Sequence, residues 1–295
     1  MRAIIWGLGL GALFCGWWFG AAALLRATPA HLAPRGVEIQ ALEVSGFPSA
    51  FDLRLDAPAL PARGWRADWA ALSVPSYWPF SAQGTVSGEQ TIARRGAEWR
   101  LDGADMPVAV ALSTGLAVES AALDGQDIRL SGPLAATLDT LALRLDRAEA
   151  AENYALALDM TGLTMAPLGQ RLDNASLRAH LSYAIPLRLT APGTLAEIEL
   201  RDARFVSGPS TAELAGTLTR RSDGLWGGAL SLSITNWQPI MAALAQSGAL
   251  PPDQAPLVMM MAQGMSDGDT LTLPLAVTGS ILSLGPIPLL DLGRL

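Results

Sequence analysis

The chain has 295 residues, a formal net charge of −7 and a pI of about 4.9. That balance argues against a nucleic-acid partner, because phosphate binding needs a basic surface. The single cysteine, Cys15, rules out a disulfide framework and thiol chemistry in the rest of the chain, and all 20 basic residues are arginine, a compositional bias that leaves arginine with little functional meaning here.

In chain order, the first element is apolar. Ala3 to Leu25 is a run of 23 residues without a charge, with Arg2 before it and Arg26 after it. At about 1.5 Å per residue such a run is long enough to cross a hydrocarbon core of about 30 Å as a helix. Arg2 and the amino terminus favour a cytoplasmic start, with the body of the chain sent across the membrane. The alternative is a cleaved signal peptide with Ala21-Ala22-Ala23 as its small-residue site; the run is longer than the usual apolar region of such peptides, which favours a retained anchor. Lipidation at Cys15 is disfavoured by the bulky Phe14 before it. Trp6, Trp17 and Trp18 suit either an interfacial belt or tight helix packing.

Past Arg26 alternation dominates. Phe51-Asp52-Leu53-Arg54-Leu55-Asp56 puts three apolar residues on one face and three charges on the other, the period-two mark of a half-buried strand. The pattern recurs at Leu141 to Asp146, Leu177 to Tyr183, Ile198 to Arg201, Leu230 to Thr235 and Leu271 to Leu275. Between the runs stand Arg95-Gly96, Asp102-Gly103, Asp124-Gly125, Asp223-Gly224 and Asp267-Gly268, which predict tight turns because Asp and Gly tolerate positive φ. Short strands joined by hairpins predict an antiparallel, meandering sheet. Pro274 lacks a ladder donor, which places its strand at an edge or a bulge.

One region breaks the period. Asn236 to Gln246 and Asp253 to Gln263 predict two short helices, with Asn236 and Asp253 as N-caps and Gly248 and Gly264 as ends. The second, with Leu257 to Met261 apolar in succession, predicts a helix packed into the apolar face of the sheet. Ala148 to Asn153 is a soft boundary, a short helix or a wide loop, and no fixed internal repeat is evident.

The residue types that chemistry requires are sparse. His31 and His180 are the only histidines and have no close ligand partner in sequence, so neither a metal nor a cofactor is expected. Asp124 with Asp127, and Asp267 with Asp269, sit within turn sequences, where hairpin chemistry explains them better than a catalytic carboxylate pair. No nucleophile elbow, EF-hand loop or phosphate-cradling glycine loop is present, so no catalytic residue is assigned and no enzyme is expected. Trp65, Trp69, Trp78 and Trp99 are read as core-filling side chains rather than a ligand platform.

Several motifs occur in a definite order. Gly46-Phe47-Pro48, Phe51-Asp52-Leu53 and Asp56-Ala57-Pro58-Ala59-Leu60 are followed by Trp69, by Leu72-Ser73-Val74-Pro75-Ser76-Tyr77-Trp78-Pro79 and by Gln90-Thr91-Ile92. Asp267-Gly268, Thr278-Gly279 and Leu284-Gly285-Pro286-Ile287-Pro288-Leu289 complete the order. Together they resemble a bacterial family of membrane-anchored envelope proteins, domain of unknown function 2125, across almost the whole chain. The resemblance implies no catalytic residues. More remotely, an anchor followed by repetitive strands resembles the AsmA-type envelope proteins, whose long curved sheets are associated with lipid handling.

The resulting expectation is a mainly β protein. Residues 1–26 are an N-terminal transmembrane helix in the inner membrane, and residues 27–295 are a periplasmic body built on a large curved antiparallel sheet, a groove or an open barrel, with two short helices. Its apolar face, with Phe51, Leu53, Leu55, Leu141, Leu143, Leu145 and Ile198 as candidate lining, is expected to hold membrane lipid or another hydrophobic ligand. The alternative is a scaffold in an envelope assembly, with a closed, dry β core and an envelope protein as partner.

Overall fold

The computed structural model describes residues 2–33, 36–94, 96–133, 135–165, 170–188, 193–246, 260, 262–284 and 287–291. It opens with helix α1 (Arg2–Leu32), after which the chain is almost wholly strand. The strands are β1 (Ala41–Ser45), β2 (Ala50–Asp56), β3 (Ala59–Leu60), β4 (Trp65–Ala67), β5 (Trp69–Pro75), β6 (Ser81–Val86), β7 (Gln90–Arg94), β8 (Ala97–Asp102) and β9 (Met106–Leu112). The long strands follow: β10 (Val118–Ser131), β11 (Ala136–Arg147), β12 (Asn153–Met165), β13 (Gln170–Tyr183), β14 (Leu195–Ser207), β15 (Ser210–Arg220) and β16 (Trp226–Thr235). Helix α2 (Trp237–Gln246) precedes β17 (Ser266–Asp267), β18 (Thr270–Thr278), β19 (Ile281–Leu284) and β20 (Ile287–Asp291).

All of these strands belong to one antiparallel sheet. Its main path runs β1, β2, β5, β6, β9, β10, then strand by strand to β16, and on to β18, β19 and β20. From β10 to β16 neighbours in sequence are neighbours in space, as hairpin connections require. A branch, β3, β4, β7 and β8, joins the sheet along the second half of β10. The described pairings leave β1 and β20 with a strand on one side only, so the sheet is not closed, and the closed β core weighed as the alternative does not form.

The branch explains a failed turn prediction. Asp124-Gly125 is no hairpin; it lies in mid-strand, paired with Ala142 and Leu141 of β11. β10 pairs with β9 through Leu123 and with β8 from Arg129 onward. Between these partners the strand kinks at Asp127, whose φ is 51° and which the register skips. The positive φ thus falls at Asp127 rather than at Asp124 or Gly125, and the register with β11 is the same on both sides of it. Asp223-Gly224 and Asp267-Gly268 do form the expected turns, β15 to β16 and β17 to β18. Pro274 pairs with Ser231 of β16, and the described pairings on its other side begin at Leu275. Ala148 to Glu152 is the loop joining β11 to β12, closed by a bond from the Ala148 N–H to the Asn153 carbonyl.

Helix α1 runs beyond the uncharged segment, through Arg26 to Leu32. Among the described residues no helix is long and apolar enough to cross a membrane, so the expected transmembrane span is not seen as such. Instead the last turns of α1 dock on the sheet. Trp18 and Ala22 are buried with Val44 and Phe51, and Leu25, Leu42, Leu53 and Val74 pack around them. Trp18 Nε1 donates to the Ala50 carbonyl at 3.2 Å, and Arg26 Nη2 donates to the Val44 carbonyl at 2.9 Å.

The first predicted short helix forms as α2. Of the second, residues 253–259 and 261 lie outside the described residues, while 260 and 262–265 are helical, so the helix continues through Gly264 rather than ending there. Ala262 packs with Ile234, Trp237 and Leu271. Met260 is 70% exposed, so this part of the helix does not turn all its apolar side chains into the sheet.

Candidate functional site

Cross-strand pairing puts opposed residues on the same face of a sheet. Followed from strand to strand, one transverse row reads Val44, Leu53, Leu72, Gly84, Val108, Leu123, Leu143, Leu158, Leu177, Ala203, Leu214, Leu232, Leu273. It crosses thirteen strands without a polar side chain. The row beside it, from Val110 through Ala121, Leu145, Leu156, Ala179, Leu200, Gly216 and Leu230 to Leu275 and Leu284, is likewise apolar. Gly84 is the narrow point of the first row, because a Cβ there would land on the Ala71 carbonyl oxygen of the neighbouring strand. The alternation visible within each strand therefore adds up, through register, to one apolar face.

Among the described residues, that face is covered at its ends and bare in its middle. At the β1 end α1 lies on it. At the far end a cluster of Leu218, Trp226, Leu230, Leu275 and Val277 is buried, and α2 adds Trp237 over Ile234 and Leu271. A loop after β13 crosses beside β10: the Val118 N–H donates to the Leu187 carbonyl, Leu187 N–H donates to the Tyr154 hydroxyl, and that hydroxyl donates to the Val118 carbonyl. This strap buries Tyr154 completely. Tyr183 stands edge-on to Tyr154 at 5.6 Å, and burial, with the neighbouring Tyr154, pushes the Tyr183 hydroxyl above its usual pKa. Between these covers Leu123, Leu143, Leu158 and Leu177 remain half-buried, with no second layer over them among the described residues.

The candidate lining residues separate accordingly. Leu141, Leu143 and Leu145 lie side by side on β11 in the bare middle, all half-buried. Leu53 and Leu55 are half-buried on β2, and Leu53 packs at the edge of the α1 cluster. Phe51 is 5% exposed, beneath Trp18. Ile198 packs against the buried cluster around Trp226. The structure thus brings all seven to one face and places Phe51 and Ile198 where protein already covers them.

The opposite face is polar and paired. Arg144 Nη2 donates to both carboxylate oxygens of Asp124 at 2.8 and 2.9 Å, while its Nη1 donates to the carbonyls of Leu143 and Leu123. Arg178 repeats the arrangement on Asp159, at 2.9 Å to each oxygen, with Leu177 and Leu158 as its carbonyl acceptors. The two acids are 35 residues apart and the two arginines 34, so the meander carries a two-strand repeat that the sequence alone did not disclose. Arg171 with Asp139 adds a further ion pair, while Arg147, opposite Tyr154 in the register, pairs with Glu119 beside the strap. Asp124, weighed in sequence as half of a carboxylate pair with Asp127, is engaged by Arg144.

An open hollow of about 350 Å³ lies on the branch, lined by Arg66, Asp68, Glu89, Gln90, Thr91, Arg100, Leu101 and Asp102. There Glu89 shares a side-chain hydrogen bond with Asp68, which raises its pKa above the ordinary 4.5; the charges of Asp68 and Asp102 act in the same direction, and Arg100 opposes them. Sequence reasoning missed this pair because the two acids come from different segments. Among the described residues no group of three or more His, Cys, Asp or Glu side chains is arranged to hold a metal ion.

The tryptophans reverse the expected order. Trp65, Trp69 and Trp99 are only half-buried, and Trp78 is exposed beside Phe80. Trp65 donates to Gln90 Oε1 at 2.9 Å and Trp69 lies under the Arg54 guanidinium at 5.3 Å. The core-filling indoles are Trp18, Trp226 and Trp237, each on the apolar face beneath or within a cover. On one side only does a sheet of this kind have a core, so strands of the branch offer little depth in which to bury a large ring.

The architecture is that of an open antiparallel sheet protein with one apolar and one ion-paired face. Residues 17–292 match the bacterial family described as an uncharacterized protein conserved in bacteria, DUF2125, and the chain belongs to that family. No curated protein and no solved structure matches it.

Proposed function

We propose that this is an envelope protein, anchored in the inner membrane through α1 with its sheet on the periplasmic side, that holds a lipid or another hydrophobic ligand on the bare middle of its apolar face and performs no catalysis. The observation that carries the reading is the unbroken row through Leu123, Leu143, Leu158 and Leu177, half-buried and, among the described residues, without a covering layer between α1 and α2. Apolar surface on this scale gains about 25 cal/mol for each Å² withdrawn from water, so an acyl chain laid along it is held without any directional contact. The uncharged run from Ala3 to Leu25 supports the anchor, and Arg2 before it supports the orientation. The burial of Trp18 and Ala22 on the sheet supports retention of this segment as part of the folded body.

Native mass spectrometry of the gently extracted full chain tests the reading. The wild-type chain is expected to carry lipid, and Leu143→Arg and Leu200→Arg to lose it while circular dichroism stays unchanged. Ala142→Arg, on the polar face between Asp124 and Asp159, is expected to keep it. Equal lipid content in all four folded proteins would overturn the proposal, and a stoichiometric protein partner without lipid would favour the scaffold instead.

A further inference from the structure

The docking of α1 on the sheet conflicts with a simple membrane span, and the conflict is informative. The uncharged run ends at Leu25, but its final turns lie against β1 and β2, and Trp17 already meets Phe51 of β2 edge-on at 5.9 Å. Of the uncharged run, Ala3 to Gly16 precedes this first described contact with the sheet, about 21 Å of helix at 1.5 Å per residue. That is roughly 9 Å less than a hydrocarbon core of about 30 Å. A helix anchored in a bilayer and docked in this way must draw the adjoining end of the sheet into the membrane boundary.

The surface at that end fits such a position. The turn between β1 and β2, Gly46-Phe47-Pro48-Ser49, carries no charge. Phe47 stacks on Phe19 of α1 with centroids 5.4 Å apart and planes 19° from parallel, and Trp18 meets both rings edge-on at 5.2 Å. Although the rings touch, Phe19 remains 56% and Phe47 44% exposed. Leu24, one and a half turns on from Phe19, is 75% exposed. Trp17, on the same helix, is 48% exposed; an indole of this kind favours the headgroup level, and exposed Phe and Leu side chains beside it belong at the headgroup–acyl boundary. Phe51 of β2, four residues on from Phe47 and beneath Trp18, lies on the apolar face, so this patch is continuous with that face.

We infer that the β1–β2 turn, with Phe47 and Phe19, is seated in the bilayer interface, so that the apolar face of the sheet begins at the membrane itself. The inference rests on the anchored reading proposed above. Its consequence is that a hydrophobic ligand reaches the sheet sideways from the bilayer, without crossing water.

The test uses the full chain with Cys15→Ser and Phe47→Cys, labelled with an environment-sensitive fluorophore and reconstituted into vesicles of phosphatidylethanolamine and phosphatidylglycerol. A blue-shifted spectrum, quenched by brominated acyl chains, is expected at position 47, and a water-like, unquenched one at Asp223→Cys in the turn before β16. Phe19→Cys supplies a second position on α1 should the turn variant misfold. Protein that floats with the vesicles yet shows water-like spectra at 47 and 19 would overturn the inference and leave the anchor standing. Protein that does not float at all would remove the anchor, and this inference with it.

Discussion

The indole of Trp18 lies flat on the ring of Phe51, with centroids 5.2 Å apart and planes 11° from parallel, and its Nε1 donates to the carbonyl of Ala50. One side chain thus joins α1 to the edge of the sheet by area, by stacking and by a hydrogen bond. Trp18→Ala is expected to destabilise the helix–sheet junction by about 3–5 kcal/mol, the usual range for deleting a buried large aromatic. Trp18→Phe keeps the ring contact and loses the N–H, so about 1 kcal/mol is expected. Denaturant unfolding of the full chain in detergent, paired with the rate of proteolysis between α1 and β1, measures both. Equal cleavage rates in all three proteins would show that the stack does not hold the helix in place.

Much of the sheet was legible because its signal is local. Phe51 to Asp56, Leu141 to Asp146 and Leu230 to Thr235 alternate strictly, and each lies in a strand. What was not legible depends on partners that are distant in sequence. Nothing near Asp124-Gly125 distinguishes a hairpin turn from mid-strand backbone; the strand runs on because β11 pairs it along one edge while β9 and then β8 share the other. The uncharged run at the N-terminus reads as a membrane helix by composition, and no local feature marks Trp18 and Ala22 as the residues that Val44 and Phe51 cover. The candidate lining was half visible for the same reason. Leu143 and Leu145 could be placed on an apolar face from their own strand, whereas the cover over Phe51 and Ile198 is supplied by segments elsewhere in the chain.

The paired arginines on the opposite face look like stabilising features, but their exposure argues otherwise. Arg144 and Asp124 are each 44% exposed, and Arg178 and Asp159 are 46% and 47% exposed. Solvent screens such pairs and side-chain ordering opposes them, so a double-mutant cycle on Arg144→Ala and Asp124→Ala is expected to give a coupling of about 0.2–1 kcal/mol, reduced by salt. The bidentate geometry puts the value toward the upper end of that range. Their larger role is in register: each arginine also grips carbonyls on its own strand and the strand before it, which opposes a slip that would turn Leu143 or Leu177 to the wrong face. A coupling well above this range that persists in molar salt would contradict the account.

Glu89 provides a pH-dependent signature on the branch. Its hydrogen bond to Asp68 is strongest when one of the two carboxyls keeps a proton, so its folded pKa lies above 4.5. The native state therefore binds more protons than the unfolded chain over the interval from 4.5 up to the raised value. Stability from this group is fully present below that interval and is lost as pH rises through it, the reverse of an ion-paired carboxylate. Glu89→Gln carries no charge at any pH and retains an N–H for Asp68. Its melting temperature is expected to exceed that of the wild-type chain at pH 7, with the difference shrinking toward zero near pH 4. Thermal unfolding of both proteins across that range measures the effect, and parallel curves would mean that the contact with Asp68 does not hold a proton on Glu89.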